Sequence, residues 1–300
     1  MITSALARLP RRTVRSGLAG AGPGAAPTVG ATPIVKWVGG KGRLLPQLSP
    51  LLPPGVELMR HVEPFVGGGA VFFGLRPARA LLCDVNPALI DTYGAVRDEV
   101  DTLIEQLRAL SADHDARAYY AVRERYNRGR KLPPAQRAAM FIYLNKTCFN
   151  GLHRVNQRGH FNVPAGRYDN PRILNEDALR AASAELARAE LQCCGFERLL
   201  AAAKPGDFVY LDPPYEPVSR TASFTAYAQD GFGRQDQMRL RDVFAALDRR
   251  GCKLMLSNSD VPFIRDLYER YDIARVSAAR AINSDASKRG PVFEVVVRNY

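Results

Sequence analysis

Four consecutive residues, Asp212-Pro213-Pro214-Tyr215, combine a carboxylate, a rigid backbone and an aromatic ring. Two prolines cannot continue a ladder of backbone hydrogen bonds, so they hold the chain in a stiff turn. The Asp212 carboxylate and the Pro213 carbonyl would then present two hydrogen-bond acceptors beside the Tyr215 ring. This set suits a flat ligand with an amino substituent, such as a nucleobase. The alternative is an ordinary strand followed by a Pro-Pro turn, in which the aspartate caps a neighbouring element.

The run before this turn, Phe208–Leu211, is typical of a buried parallel strand, which would deliver Asp212 to the carboxyl edge of a sheet. That edge is where open α/β sheets bind ligands. Strand and helix patterns alternate along the chain and predict a mostly parallel sheet. Strands are expected at residues 80–83, 191–194 and 253–257, helices at about 175–189 and 234–249, and a helix with two strands at the end. Apolar residues at helical spacing predict helical scaffold over residues 92–146.

A second candidate binding segment contains the three consecutive glycines 67–69. Such glycines let the backbone approach a ligand closely. Phe72 stands where a dinucleotide fingerprint needs its third glycine, which favours a nucleotide-like ligand without a pyrophosphate. Asp84 follows the next strand, at a place where an acid can hold a ribose diol. The alternative is that Asp84 caps a helix beginning near Pro87.

The segment before these glycines contains Trp37, the only tryptophan, and Lys41. A phosphate-binding loop is excluded, because Val35 and Gly42 stand where that motif requires glycine and serine or threonine. What remains is a flexible loop with an aromatic ring and a cation, suited to closing over a small ligand with a carboxylate.

Residues 145–168 contain no acid and concentrate side chains that read nucleic acids. Arginine, asparagine and glutamine can make bidentate hydrogen bonds to base edges, and lysine and arginine can neutralise phosphates. Interleaved phenylalanine and leucine can wedge into a base stack. The alternative is a basic surface hairpin without a nucleic-acid ligand.

The composition agrees with a nucleic-acid partner. The 300 residues carry a net charge of +12 and a pI near 9.7, and 46% apolar content is ample for a core. No run approaches the roughly 18 apolar residues of a membrane span. Five cysteines without a CxxC pair indicate reduced thiols, and the four histidines lack ligand spacing, so we predict no metal. Residues 1–33 read as a disordered basic extension, an early start codon or, less simply, an Arg-rich transit peptide.

The motifs KWVGGK, EPFVGGGAVF, DVNPALID, FNGLHRVNQRGHFNVPAGRY, DPPY, FTAY, SNSD and FEVVVRNY occur in an order that resembles the Dam-type DNA adenine-N6 methyltransferases, the α group of the D12 class. The similarity extends from Lys36 to Tyr300. It implies an α/β fold, a Rossmann-like S-adenosylmethionine-dependent methyltransferase sheet with an inserted, mainly helical target-recognition domain. The implied domains are 34–93 for the cofactor, 94–175 for recognition and 176–300 for the part with DPPY, after the 1–33 extension.

The resemblance also implies roles for single residues. Trp37 and Lys41 would help to close the S-adenosylmethionine site and Asp84 would hold the ribose. Phe196 would lie near the cofactor's adenine. The cofactor would be wrapped by Glu63, Pro64, Phe65 and Gly67, with Asp212 at its border. Asp212, Pro213, Pro214 and Tyr215 would bind the target adenine, flipped out of the duplex.

In the recognition segment, Phe149 replaces the tyrosine that is common in the family's aromatic wedge, so insertion is expected without a hydroxyl contact. Leu152 and Arg154 would touch flanking base pairs, and Arg154 suits O6 and N7 of guanine. The other residues assigned to DNA are Asn150, Asn156, Arg158, Pro164 and Tyr168. The expected target is a short palindrome containing GA, with GATC as the best single choice.

The implied partner is double-stranded DNA, bound by a monomer in the cytoplasm at the nucleoid, with a cognate restriction endonuclease as a further partner. Two alternatives stay open. One is an amino-methyltransferase of the same fold acting on cytosine N4 or on RNA, although serine in place of Asp212 would suit cytosine better. The other is a catalytically inactive DNA-binding relative, against which intact Lys41, Asp84, Asp212 and Tyr215 argue.

Overall fold

The computed structural model describes residues 30–129, 131–217, 231–278 and 292–300. The FTAY motif at residues 224–227 lies outside these ranges, as does most of the predicted N-terminal extension. Within the described part of that extension, Ala31 is already buried in the core. None of the described helices is long and apolar enough to cross a membrane.

In the described part of the chain, seven strands form one sheet in the order β3-β2-β1-β4-β5-β7-β6. Strands β1 to β5 run parallel, and β7 runs antiparallel to both β5 and β6. This mixed α/β sheet confirms the fold class expected of an S-adenosylmethionine-dependent methyltransferase. The strands are β1 (His61–Glu63), β2 (Ala80–Asp84), β3 (Ala189–Cys193), β4 (Phe208–Leu211), β5 (Lys253–Ser259), β6 (Asp272–Ala278) and β7 (Val292–Arg298).

The described ranges contain ten α-helices, and five of them lie between β2 and β3, the first four in close succession. These four account for the helical pattern of residues 92–146. In chain order the helices are α1 (Leu45–Leu48), α2 (Ala70–Leu75), α3 (Pro87–Asp98), α4 (Val100–Ala112), α5 (Ala116–Arg128), α6 (Pro134–Thr147), α7 (Glu176–Leu186), α8 (Leu199–Ala202), α9 (Arg234–Arg249) and α10 (Pro262–Leu267).

The sheet is covered on both faces. Along β4, Val209 and Leu211 pack with Phe244 of α9, whereas Phe208 and Tyr210 pack with Leu44 on the opposite face. Alternate side chains of a strand point to opposite faces, so a strand buried on both faces needs a continuous apolar run. This explains why β4 was recognisable from sequence.

The strand order reverses at the centre of the sheet. From β1 the chain proceeds to β2 on one side, and β4 lies on the other side of β1. Ligands of open α/β sheets bind in the crevice that such a reversal leaves at the carboxyl ends of the strands. Pro64 and Asp212 directly follow the two strands that flank this crevice.

Four predicted elements differ from the structure in their boundaries, and one of them is the strand expected at residues 191–194, which spans Ala189–Cys193. The helix expected to reach Ala189 ends at Leu186, because Ala189 already begins β3 and pairs with Ala80. Strand β5 continues to Ser259, since Ser259 pairs with Glu294 of β7. Strand β2 continues to Asp84, since Asp84 pairs with Cys193 of β3.

Candidate active site

Asp212 lies at the end of β4 in contact with Lys41. The Lys41 ammonium is 2.8 Å from Asp212 Oδ1 and 4.7 Å from the centre of the Tyr215 ring, and it donates a hydrogen bond of 2.7 Å to the Gly39 carbonyl. Gly39 has φ of +79°, which lets the loop of residues 36–41, here the tryptophan loop, turn back towards the sheet. The loop and the DPPY turn (residues 212–215) therefore form one site.

Burial raises the pKa of Asp212 to about 6, although the nearby Lys41 ammonium lowers it. The negative charges of Glu294 and Glu63 add to the increase. Asp212 Oδ1 is buried and has no well-directed hydrogen bond within the described ranges, so its contact with Lys41 is an ion pair of close charges. At neutral pH the carboxylate is ionised and can accept a proton from a ligand.

The DPPY turn is held in place by a buried polar network. Gln237 of α9 donates 2.8 Å to the Pro214 carbonyl, and Asn258 of β5 donates 3.1 Å to Gln237 Oε1. Asn258 Oδ1 accepts a hydrogen bond of 3.1 Å from the Glu216 backbone. Gln237 and Asn258 are 1% and 0% exposed, so these bonds cannot be replaced by water.

A further bond joins the turn to the last strand of the sheet. The Tyr215 hydroxyl donates 2.7 Å to Glu294 Oε2 of β7, and burial raises the pKa of Tyr215 well above its usual value. Neither Gln237 nor Glu294 was identified from sequence, since each lies far along the chain from the residue that it holds. Asn258 belongs to the SNSD motif, whose place after a strand was the available signal.

Asp84 anchors the glycine turn of residues 67–69. Its Oδ2 accepts 3.0 Å from the Gly67 amide and its Oδ1 accepts 2.9 Å from the Asn86 amide. Burial raises the pKa of Asp84, partly offset by these backbone bonds. Tyr93 donates a hydrogen bond of 2.7 Å to the Gly67 carbonyl, so both backbone polar groups of Gly67 are held.

The capping role considered for Asp84 belongs to Asn86. The Asn86 Oδ1 atom accepts hydrogen bonds from the Ala88 and Leu89 amides, 3.1 and 3.3 Å long, at the start of α3. The interpretation of Asp84 as the cap of the helix at Pro87 is therefore wrong, and its carboxylate faces the glycine turn instead.

Trp37 lies directly on the glycine turn. A Cβ atom at Gly67 would be 2.6 Å from Trp37 Cδ1, and Gly67 has φ of +46°. Only glycine meets both conditions without strain. The indole ring also stacks on His153, with ring centres 5.8 Å apart.

Three aromatic rings cluster after β1 and β3. Phe65 and Phe196 stack with centres 5.7 Å apart, and Phe232 meets them edge-on at 6.0 and 5.9 Å. Phe232 was missed from sequence because it stands alone in a polar segment. Glu63 is buried beside Pro64, and His61 Nε2 lies 2.9 Å from Glu63 Oε2.

The residues assigned to DNA lie on a hairpin of residues 148–166, here the basic hairpin, and just after it. Its two sides meet at Cys148 with Ala165 and at Val155 with Phe161. Phe149 is 50% exposed and Leu152 is half-buried against the core. The other assigned residues are all exposed: Asn150, Arg154, Asn156, Arg158, Pro164 and Tyr168.

Two of these polar residues also shape the hairpin. Arg154 Nε donates 2.8 Å to Asn162 Oδ1 across the two sides. Asn156 Oδ1 accepts from the Arg158 and His160 amides at 3.0 and 3.1 Å, which closes the tip. Within the ranges that the structure describes, no group of three or more His, Cys, Asp or Glu residues is placed to hold a metal ion.

Comparison with known proteins bears on this site. A family model for D12 class N6 adenine-specific DNA methyltransferases matches residues 37–282. Type II methyltransferase M1.LlaDCHI of Lactococcus lactis subsp. cremoris is 41% identical over 273 residues, covering 89% of this chain and 95% of that protein. Type II methyltransferase M.MjaIII of Methanocaldococcus jannaschii is 42% identical over 285 residues, covering 89% and 99%. The DNA adenine methylase of Escherichia coli strain K12 is 37% identical over 264 residues, covering 87% and 93%.

Proposed function

Because the chain belongs to the D12 class of N6 adenine-specific DNA methyltransferases, we propose that it methylates N6 of an adenine that Asp212 and its neighbours bind outside the duplex. Family membership establishes an adenine-specific DNA methyltransferase that uses S-adenosylmethionine. The observation that carries the residue assignment is the largely buried Asp212 carboxylate, which lies beside Lys41 and Tyr215 at the reversal point of the sheet.

The adenine amino group is a poor nucleophile, since its lone pair is delocalised into the ring. Asp212 and the Pro213 carbonyl would accept hydrogen bonds from its two N–H groups, and this would favour a pyramidal nitrogen with an available lone pair. S-adenosylmethionine supplies an electrophilic methyl group on a sulfonium sulfur. When the cofactor is bound, the nitrogen–carbon bond would form as the sulfur–carbon bond breaks, without a covalent enzyme intermediate. The extra proton on nitrogen leaves to solvent or transiently to Asp212.

The residues around the glycine turn fit the cofactor. The Asp84 carboxylate is fixed by two backbone amides and can accept hydrogen bonds from a ribose diol. The rings of Phe65, Phe196 and Phe232 offer a surface on which an adenine ring can stack. Trp37 and Lys41 cover this region from the tryptophan loop, and Glu63, Pro64 and Gly67 line it from the end of β1.

For the DNA sequence we propose GATC. Phe149 is exposed enough to wedge into the base stack, and Leu152 lies beside it. Asn162 holds the Arg154 guanidinium, which reduces the entropy lost when Arg154 binds guanine, a contact worth roughly 1–3 kcal/mol of discrimination. The exposed residues Asn150, Asn156, Arg158, Pro164 and Tyr168 would contact the rest of the site.

The proposal also names two partners, duplex DNA and a restriction endonuclease. Duplex DNA would be bound by a monomer in the cytoplasm, at the nucleoid, through the basic hairpin. A cognate restriction endonuclease is a further proposed partner, because two relatives of this chain are named Type II methyltransferases.

The test is transfer of labelled methyl from S-adenosylmethionine to duplexes that differ only in containing GATC, GATATC, another GA site or none. We expect label in N6 of adenine of the GATC duplex, and at least a roughly thousandfold lower rate with Asp212→Ala, because both positioning and proton acceptance are lost.

Label confined to another duplex would reject GATC as the recognised sequence and would leave the assignment of Asp212 unchanged. Full activity of the Asp212→Ala variant would reject the assignment of Asp212. Label in cytosine or only in RNA would reject the proposed substrate.

A further inference from the structure

His153 belongs to the basic hairpin, and its side chain contacts two segments of the proposed cofactor site. Its ring stacks on Trp37 with centres 5.8 Å apart and planes inclined by 22°. Its Nδ1 atom is 3.2 Å from Nδ2, the side-chain nitrogen of Asn86. Asn86 follows Asp84 by two residues and caps α3, so His153 contacts both the tryptophan loop and the segment that anchors the glycine turn.

The ring is fixed from the other side by the scaffold and by the hairpin. Phe141 of α6 and Phe161 of the hairpin lie 5.6 and 5.9 Å away, centre to centre. Burial lowers the pKa of His153, which keeps the ring neutral at neutral pH. Since Asn86 Nδ2 can only donate a hydrogen bond, His153 Nδ1 is the acceptor. A movement of the hairpin would therefore move this ring.

A second connection runs beside the first. The Asn145 side chain accepts 2.7 Å from the Lys36 amide and donates 2.8 Å to the Lys36 carbonyl, which ties the tryptophan loop to the end of α6. It also donates 3.3 Å to the Gly151 carbonyl in the hairpin. The backbone on one side of Trp37 is thus tied by Asn145, and the Trp37 ring is contacted by His153.

We propose that His153 is a positioning residue: through its stack on Trp37, duplex DNA bound to the basic hairpin orders the indole over the glycine turn. DNA and S-adenosylmethionine then bind with positive coupling, and the effect is the same in both directions by linkage. This inference rests on the proposed function, since it takes the hairpin as the DNA site and the glycine turn as the cofactor site.

The coupling is measured as the ratio of S-adenosylmethionine affinities with and without a GATC duplex, determined by calorimetry on the full chain. In the wild type we expect a ratio of roughly five or more. His153→Leu fills a similar volume without a ring and should reduce the ratio to about one. His153→Phe keeps a ring that can stack on Trp37 and should keep at least about half of the wild-type ratio.

His114→Phe is the matched control. His114 also contacts an aromatic ring edge-on and bonds through Nδ1 to the Tyr143 hydroxyl at 2.7 Å, but it lies in the scaffold. It should keep the wild-type ratio. A merely structural defect would weaken cofactor binding equally with and without DNA and leave the ratio unchanged. Should His153→Leu not fold, His153→Gln, which also lacks a ring, takes its place.

Trp37 is the only tryptophan in the sequence, so intrinsic fluorescence reports its surroundings directly. Adding duplex should change the emission of the wild type and of His153→Phe, and leave that of His153→Leu unchanged.

Several results would overturn the inference: a wild-type ratio near one, a wild-type ratio in His153→Leu, or equal losses in the Leu and Phe variants. Absence of any cofactor binding by the wild type would instead reject the proposed function.

Discussion

At the scale of single residues, burial raises the pKa of Asp212 to about 6, and two neighbouring charges change this pKa in opposite directions. The Lys41 ammonium lowers this pKa, and the negative charge of Glu294 raises it. A protonated Asp212 cannot take up the proton that leaves the amino nitrogen and has no negative charge to stabilise that nitrogen as it becomes positive. The kcat/KM for duplex should therefore rise about tenfold per pH unit below a midpoint near 6 and level off above it.

Substitutions of Lys41 and Glu294 test the direction in which each residue shifts the pKa of Asp212. Lys41→Met should move the midpoint to higher pH, and Glu294→Gln should move it to lower pH, each measured as a full pH–rate profile. Lys253→Met, which changes an exposed lysine of β5, should leave the midpoint in place. Shifts of Lys41→Met and Glu294→Gln in the same direction would show that Asp212 does not control the acid limb.

Gly67 provides a second prediction at this scale. In Gly67→Ala the new Cβ would meet Trp37 at 2.6 Å in a backbone of positive φ, which costs roughly 1–2 kcal/mol before any contact is counted. We expect at least a roughly tenfold loss of S-adenosylmethionine affinity by calorimetry, because the indole must leave the turn.

Gly94→Ala is the matched substitution. Gly94 lies inside α3, and a Cβ there would meet nothing within 4 Å. Alanine should stabilise the helix by roughly 0.5–1 kcal/mol and leave cofactor affinity unchanged. Wild-type affinity in Gly67→Ala would remove the glycine turn from the cofactor site.

At the scale of elements, the DPPY turn depends on α9 and β5. Gln237→Leu removes the hydrogen bond to Pro214 and leaves Asn258 without its acceptor. We expect kcat to fall by roughly tenfold or more, because the turn shifts relative to the substrate. Cofactor affinity should stay within about twofold, and the free energy of unfolding should drop by roughly 1–3 kcal/mol.

Gln136→Leu is the control for this change. It loses a single hydrogen bond between α6 and α4 and should leave kcat unaltered. An unchanged kcat in Gln237→Leu would mean that the two prolines alone hold the turn.

The elements also show what could be predicted from sequence. Strand β4 and its turn were recognisable because the burial of both faces and the two prolines are local signals. The pairing of Ser259 with Glu294, which lengthens β5, depends on a strand far along the chain and has no local signal. The same holds for the bond between Tyr215 and Glu294, which lie 79 residues apart. Local patterns thus predicted which residues approach the site, and long-range contacts decided how they are held.

At the scale of the whole molecule, the net charge of +12 predicts a steep salt dependence of DNA binding. The logarithm of affinity should fall linearly with the logarithm of salt concentration, with a slope of roughly −0.9 for each phosphate neutralised. Arg158→Ala should reduce the magnitude of this slope by about one, measured by fluorescence anisotropy.

Phe149→Ala serves as the comparison, because it removes an exposed ring and no charge. It should weaken binding to the GATC duplex and leave the slope unchanged. A changed slope in Phe149→Ala would show that the ring acts through the placement of charged groups.

Strand β7 has a consequence for the time at which the enzyme can first act. Of the seven strands it is the last to be synthesised, yet it lies inside the sheet, between β5 and β6. A nascent chain on the ribosome therefore exposes an open edge at β5 and lacks Glu294, the partner of Tyr215. Unfinished chains would therefore not methylate DNA, and the enzyme would become active only after this last strand has inserted into the sheet.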